Sequence, residues 1–343
     1  MYDQGLLVKE HATLAKVVGL EAWDFGKIVA TRTGQKTNPN VSIGGEDIEG
    51  FATNNWDIGD GRLFTQDELN SNKNVAILGG GKGMPGAVVL AAKAALRSGI
   101  GLVRTLVAPE NVAAVLAAVP SALSSEWPGT AHQIKAEISN WANAIVLGPG
   151  LGKSSDTRKL VESVLRDSKI PVLLDADALN VFERDAQSLG KMLGGRAALI
   201  TPHVAEFARL TGIDVREVIA NRFDVGVQVA RELGATVLLK GSPTVVFSPS
   251  GERYVIARGS AALGTGGSGD LLSGIAGTLL AQLEDASAAA CCAAWVHGRA
   301  AELCAYIRGT TLEDVLYALP RAWNEPEPSP EPPVLTVLPA VAR

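Results

Sequence analysis

Val75-Ala76-Ile77-Leu78, followed by Gly79-Gly80-Gly81-Lys82-Gly83-Met84-Pro85-Gly86-Ala87, is the stretch on which the fold turns. Four apolar residues in a row, with no polar alternation, read as a strand buried on both faces. The glycines read as a loop, and Pro85 suits the first turn of a helix over 85–98. Ala87, Leu90, Ala91, Ala94 and Ala95 give that helix an apolar stripe. A buried strand feeding a helix through a short loop is the unit from which parallel sheets are built.

The unit recurs outward along the chain. Strands are expected at 102–108, 144–147, 172–174, 198–200 and 236–240, with helices at 111–119, 155–166, 204–210 and 218–233. A hairpin is expected at 244–247 and 253–256, and two helices, 269–283 and 286–305, close the core. This alternation predicts an α/β fold with a mostly parallel central sheet covered on both faces. Ligands in such folds bind beyond the carboxyl ends of the strands. Residues 1–72 show little periodicity and read as an N-terminal extension of unclear structure ahead of a domain at 73–323. Residues 324–343 hold six prolines and three glutamates and read as a disordered tail.

Composition excludes several classes. The net charge is −5 and there is no basic stripe, so nucleic acid is not an expected partner. No apolar run approaches the roughly 20 residues that span a bilayer, and the first residues do not resemble a signal peptide. Cys291, Cys292 and Cys304 lack zinc-ligand spacing and suggest no disulfide framework. A reducing, cytoplasmic location is expected.

The loops after the strands carry the chemistry. Thr265-Gly266-Gly267-Ser268-Gly269-Asp270 opens a helix, so its backbone N–H groups and the positive helix end suit a phosphate. Asp270 reads either as a base beside that phosphate or as a helix cap. The 79–87 loop would let a ligand approach the backbone closely, or is a tight turn. Gly148-Pro149-Gly150-Leu151-Gly152-Lys153-Ser154 falls one residue short of a Walker loop, which needs four residues between its glycines. Gly264, Gly266 and Gly269 match the Rossmann spacing but precede an Ala-rich region rather than a second strand. Asp175, Asp177 and Asn180 could orient water, metal or ribose, or Asp177 could cap a helix. His203 and Glu206 fall three apart at a helix start, and Lys240-Gly241-Ser242-Pro243-Thr244 ends a strand with a cation and hydroxyls suited to phosphate.

In this order, six of these segments resemble the ADP/ATP-dependent NAD(P)H-hydrate dehydratases, a branch of the ribokinase-like superfamily. They are Gly83–Ala87, Gly148–Gly152, Asp175–Asn180, Thr201-Pro202-His203 with Glu206, Lys240–Thr244 and Thr265–Asp270. The resemblance covers about residues 75 to 320 and implies a three-layer α/β/α sandwich. It implies that Ala87, Gly150, His203 and Asp270 contact the hydrated nicotinamide cofactor. Lys240, Gly241, Ser242, Pro243 and Thr244, with Gly269, would hold the adenine nucleotide. Glu206 would place Mg2+ through water. ADP or ATP would donate a phosphoryl group to the C6 hydroxyl of hydrated NADH or NADPH, with Asp270 as base and the N–H groups of Gly267, Ser268, Gly269 and Asp270 stabilising the moving charge. Phosphate would then leave.

The chain departs from the family pattern at Ser268, usually Thr, and at Arg258-Gly259-Ser260-Ala261-Ala262, which lacks the usual Asn and Pro. A basic His-Lys-Gly run ahead of the first strand and an upstream epimerase domain are absent as recognisable units. A kinase of the same fold acting on a small alcohol or vitamin precursor, and a non-catalytic nucleotide sensor, are the alternatives. Family members often form tetramers, so a homo-oligomer is an expectation. The small residues at 286–294 would serve either a neighbouring copy or a buried helix of the same chain.

Overall fold

The computed structural model describes residues 73–324 and three short strands outside them, Glu21–Asp24, Ile43–Glu46 and Leu335–Leu338. The chain divides into two units, Met1–Asn72 and Lys73–Arg343. In the first, Glu21–Asp24 pairs antiparallel with Ile43–Glu46. The remaining residues of the predicted extension lie outside the described residues.

The second unit is built on a ten-stranded sheet. Its first half runs β1 (Asn74–Leu78), α1 (Pro85–Arg97), β2 (Leu102–Val107), α2 (Val112–Ala118), β3 (Leu123–Glu126), β4 (Ala144–Leu147), α3 (Ser155–Asp167), β5 (Val172–Leu174), α4 (Ala186–Leu193) and β6 (Ala198–Ile200). Then follow α5 (Val204–Thr211), α6 (Val215–Ala220), α7 (Gly226–Leu233), β7 (Thr236–Leu239), β8 (Thr244–Phe247), β9 (Arg253–Ile256), α8 (Ser268–Leu283), α9 (Ala286–Glu302), α10 (Leu312–Trp323) and β10 (Leu335–Leu338). The spatial order is β3-β2-β1-β4-β5-β6-β7-β8-β9-β10. The strands from β3 to β7 are parallel, and β8, β9 and β10 are added antiparallel. The winding reverses between β1 and β4, which makes the gap beyond their carboxyl ends a natural ligand crevice.

Side-chain alternation along each strand feeds two cores. Val75, Ile77, Val103, Val146, Leu173 and Leu238 face one layer with α1, α8, α9 and α10. Ala76, Leu78, Ile145, Leu147, Leu174 and Phe247 face the other with α3, α4, α5 and α7. A strand buried on both faces has no polar positions to spare, which is why these runs read as unbroken apolar segments. The small residues Ala289, Ala290, Ala293 and Ala294 of α9 are buried in the first core, so they serve this chain's own packing.

The structure differs from the sequence reading at five places. The single helix expected at 218–233 is two helices, α6 capped by the Asp214 side chain and α7 beginning after a turn at Asn221–Val225. Helix α4 and strand β3 were not anticipated, the latter because Ser124, Ser125 and Glu126 give an exposed edge strand little apolar character. Helix α10 was not anticipated either. Thr311 and Asp314 form its capping box, and Leu312, Val315, Leu316 and Leu319 bury its inner face. Finally, Leu335–Leu338 in the expected tail extends the sheet beside β9, as a β-branched and apolar run beyond the prolines can.

Candidate active site

The loops singled out in the sequence meet beyond the carboxyl ends of β1, β4, β5, β6 and β7, facing the first turn of α8. At the winding reversal, hydrogen-bond accounting decides what the Gly79–Gly81 backbone can do. The N–H groups of Gly79, Gly80 and Gly81 donate to the carbonyls of Leu106, Pro149 and Gly150 at 3.1, 2.8 and 2.6 Å. Their carbonyls accept from Trp127 Nε1 at 2.8 Å and from Asn111 Nδ2 at 2.9 and 2.8 Å. A Cβ on Gly79 would lie 2.2 Å from the Pro149 oxygen. These glycines therefore admit the neighbouring loop, which suits the tight-turn reading of this part of the 79–87 segment. The ligand-facing candidates lie further on, where the Cβ position of Gly150 is 3.1 Å from Ala87 Cβ.

The Asp175–Asn180 segment locks the same loop from the other side. Gly148 has φ +127° and its Cβ position falls 1.8 Å from the Asp175 carbonyl oxygen, so only glycine fits. Asp177 does not cap its helical turn. Its Oδ2 accepts the Gly152 N–H at 2.8 Å, and its Oδ1 accepts from Asn180 Nδ2 at 3.2 Å. Arg209 of α5 donates to Asn180 Oδ1. Between the two aspartates, Ala176 has φ 48° and ψ −117°, a conformation that costs energy in a non-glycine residue and persists only where surroundings enforce it.

His203 lies just outside α5 rather than on its face. Its Nδ1 accepts the N–H groups of Ala205 and Glu206 at 3.1 and 3.2 Å, while Glu206 Oε2 accepts the His203 N–H at 2.9 Å. Glu206 Oε1 is 3.3 Å from His203 Nε2. Burial pushes the imidazole pKa down against the pull of Glu206, so the ring is neutral near pH 7. Lys240, at the end of β7, pairs its backbone with Pro202 and its Nζ with Asp175 Oδ1 at 2.7 Å and Glu206 Oε2 at 3.7 Å. Burial opposes its charge, but Asp175 and Glu206 hold its pKa above the ordinary lysine value. Beyond it, Thr244 Oγ1 donates to the Gly241 carbonyl at 3.1 Å. Arg222, from the turn that splits α6 from α7, donates to the Pro243 carbonyl at 2.8 Å and lies where a Gly241 side chain would go. His297 of α9 is buried and held neutral, its pKa pushed down to about 4 by burial and by Lys240.

At α8 the cap is Gly267, with φ +97° and no side-chain cap bond, so the reading of Asp270 as a cap falls. The four-residue N–H cradle also narrows. Ser268 N–H donates to Thr265 O at 3.2 Å and Asp270 N–H to Gly267 O at 3.0 Å, which leaves the Gly267 and Gly269 N–H groups open among the described residues. The Ser268 hydroxyl donates to Leu263 O at 2.7 Å and so ties the loop to the preceding turn. Lys240 Nζ sits 3.3 Å from the Cβ position of Gly269. Burial, then the negative charge of Asp175, raises the Asp270 pKa to about 7, against the pull of Lys240. The departing segment 258–262 is anchored by Glu302, which accepts from Gly259 N at 2.8 Å and pairs with Arg258 at 3.2 Å.

Asn111, Trp127, Arg209, Arg222 and Ser273 were not anticipated. Each acts across the fold, and only Ser273, just after the Thr265–Asp270 motif, stands near a glycine-rich cluster. Among the described residues no group of three or more His, Cys, Asp or Glu is spaced to hold a metal ion. Asp175, Glu206 and Asp270 instead surround one lysine, Lys240.

Comparison with known proteins agrees with this geometry. The family model described as NAD(P)H-hydrate dehydratase matches residues 75–321. The ADP-dependent (S)-NAD(P)H-hydrate dehydratase of Neisseria meningitidis is 40% identical over 231 residues, covering 67% of this chain and 76% of that protein. The bifunctional NAD(P)H-hydrate repair enzyme of Escherichia coli is 36% identical over 253 residues, covering 73% of this chain but 47% of its own length. This chain thus spans about half the length of such bifunctional relatives. The Bacillus subtilis ADP/ATP-dependent NAD(P)H-hydrate dehydratase, co-crystallised with ATP/Mg2+, superposes with a TM-score of 0.64 at 28% identity, covering 76% of this chain and 92% of that one. A ribokinase-like protein of Enterococcus faecalis, 23% identical, superposes at 0.62 and supports the ribokinase-like fold.

Proposed function

We propose that this chain, which belongs to the NAD(P)H-hydrate dehydratase family, restores NADH and NADPH from their hydrated forms with ADP as phosphoryl donor. The observation that carries the reading is a raised-pKa carboxylate, Asp270, beside two open helix N–H groups and a buried lysine. A base that ionises near pH 7 is poised to take a proton from a hydroxyl. The C6 oxygen of the hydrated ring attacks the terminal phosphorus of ADP. The bond from that phosphorus to the AMP oxygen breaks, and Asp270 takes the hydroxyl proton. The open N–H groups of Gly267 and Gly269, with Lys240, stabilise the charge on the moving phosphoryl group. The ring nitrogen then pushes phosphate from C6, C5 gives up a proton, and the reduced ring is restored.

The remaining roles are taken from the family resemblance. Ala87, Gly150 and His203 would contact the nicotinamide end, the first two lying side by side, and neutral His203 offers no charge to repel Lys240. Lys240 to Thr244, with Gly269, receive the adenine nucleotide, and Arg222 fixes that loop. Glu206 is already engaged by His203 and Lys240, so it suits contact with Mg2+ through water and not a direct bond. Bound with the nucleotide, the ion would offset phosphate charge.

The test is to mix the protein with hydrated NADH and ADP. Absorbance in the reduced-nicotinamide band should grow, with AMP and phosphate released in equal amounts. Asp270→Asn should lose roughly 100- to 10,000-fold of that rate, the usual worth of a general base. A stable phosphate ester would point to a kinase instead, and ADP binding without phosphate release to a sensor.

A further inference from the structure

We propose that Asp175 is the positioning residue of phosphoryl transfer: it aims Lys240 and ties the first turns of α8 to the strand ends, so that the ammonium and the open N–H groups address one phosphoryl group. This rests on the function proposed above and assigns the hub that makes its parts converge.

Asp175 is 1% exposed, yet it is an ionisable side chain at a strand end. A carboxylate so placed needs strong partners, and it has two. Oδ1 accepts from Lys240 Nζ at 2.7 Å, and Oδ2 accepts from Ser273 Oγ at 2.7 Å. Ser273 stands fully buried among Leu271, Leu272, Gly274 and Ile275, so the polar position of this stretch of helix is spent on Asp175. The second partner locates the first. Lys240 has a long, flexible stem and two other carboxylates in range, Glu206 and Asp270. The short bond to Asp175 selects one placement, with Nζ 3.3 Å and Asp175 Oδ2 3.7 Å from the Cβ position of Gly269. The ammonium therefore stands beside Gly269, in the first turn at the positive end of α8.

The backbone holds Asp175 with equal care. Its N–H donates to Leu147 O at 2.9 Å, its carbonyl accepts from Ala178 N at 3.1 Å, and the same carbonyl occupies the space where a Gly148 side chain would be. The φ of 48° at Ala176 is what turns the chain away so sharply after it. One side chain thus joins the ends of β5 and β7, and α8, while its backbone joins β4.

The experiment measures ADP binding by calorimetry and the pH profile of hydrated-NADH dehydration in wild type, D175N, S273A, K240Q and the double variant D175N/K240Q. Removing one partner of a buried, hydrogen-bonded charge pair should weaken ADP binding in D175N roughly 10- to 100-fold. The acid limb of kcat should also move to lower pH in D175N. The groups that face Asp270 are Asp175, Lys240, Asp177 and Glu206, and one neighbouring negative charge has gone. S273A, which cuts the helix tie and leaves every charge, should lower kcat with the limb unmoved. If Asp175 acts through Lys240, D175N/K240Q binds ADP no more weakly than K240Q alone. That comparison does not require D175N by itself to fold, because the double variant replaces the ion pair with two neutral amides. Wild-type ADP affinity with an unmoved limb in D175N, or fully additive losses in the double variant, would overturn the proposal. Failure of the wild type to dehydrate the hydrate would instead sink the functional reading, while the ADP titrations still decide the role of Asp175.

Discussion

At the scale of single residues, the chemistry depends on where a charge is allowed to exist. Asp270 titrates near pH 7 because it is buried beside Asp175. The rate of dehydration should therefore rise with pH through about 7 and flatten above it, as the base loses its proton. Stability should move the other way. A carboxyl whose folded pKa is raised stabilises the folded state fully below its unfolded value, and that contribution is lost as pH climbs through the folded value. Asp270→Asn should consequently melt higher than wild type at pH 8, by a margin that shrinks towards pH 5. Equal melting differences at both values would show that Asp270 is not buried as described. Gly148 is a second residue-scale determinant. With φ +127° and an oxygen 1.8 Å from its Cβ position, Gly148→Ala must displace Asp175 or break the turn. A cost above about 2 kcal/mol is expected in denaturant unfolding, because strain and steric overlap act together.

At the scale of elements, the site is a set of loops clamped to one another. The 79–81 backbone is saturated by Leu106, Pro149, Gly150, Asn111 and Trp127. Asn111 is the sharpest test of that clamp. Asn111→Ala would remove one of two donors from each of the Gly80 and Gly81 carbonyls, which keep the N–H groups of Ala108 and Met84, at about 0.5–1.5 kcal/mol per bond lost. Thermal denaturation should show a drop of several degrees, and KM for the hydrate should rise more than KM for ADP, because Gly150 and Ala87 lose their backing. Asn111→Asp should not rescue either quantity, since an ionised carboxylate only accepts. This clamp also shows the limit of local reading. The spacing of glycines between β1 and α1 is visible in the sequence, and it allows a ligand loop or a tight turn. Asn111 and Trp127, 31 and 48 residues away from their partners, choose between them.

At the scale of the molecule, the parallel sheet brings residues 79–87, 148–152, 175–180, 201–206, 240–244 and 265–270 to one end, because every parallel strand releases its loop there. The family match begins at residue 75, so a chain starting at Lys73 should fold and keep its ADP affinity. Loss of binding in that shortened protein would show that the first 72 residues contribute. Removing residues 325–343 should uncover the edge of β9 and raise self-association in light scattering, with activity kept. The sequence by itself determined the α/β class, the hairpin after β7 and the order of the six loops. Buried strands leave unbroken apolar runs, and backbone turns leave glycine at fixed places, and both are local properties. Only the tertiary structure decided that Asp270 is no cap, that two N–H groups and not four stay open at α8, and that the sheet gains β10. It also brought Asp175, Lys240 and Ser273 together. Desolvation, hydrogen-bond saturation and charge pairing arise between residues as many as 98 positions apart, and no local pattern encodes them.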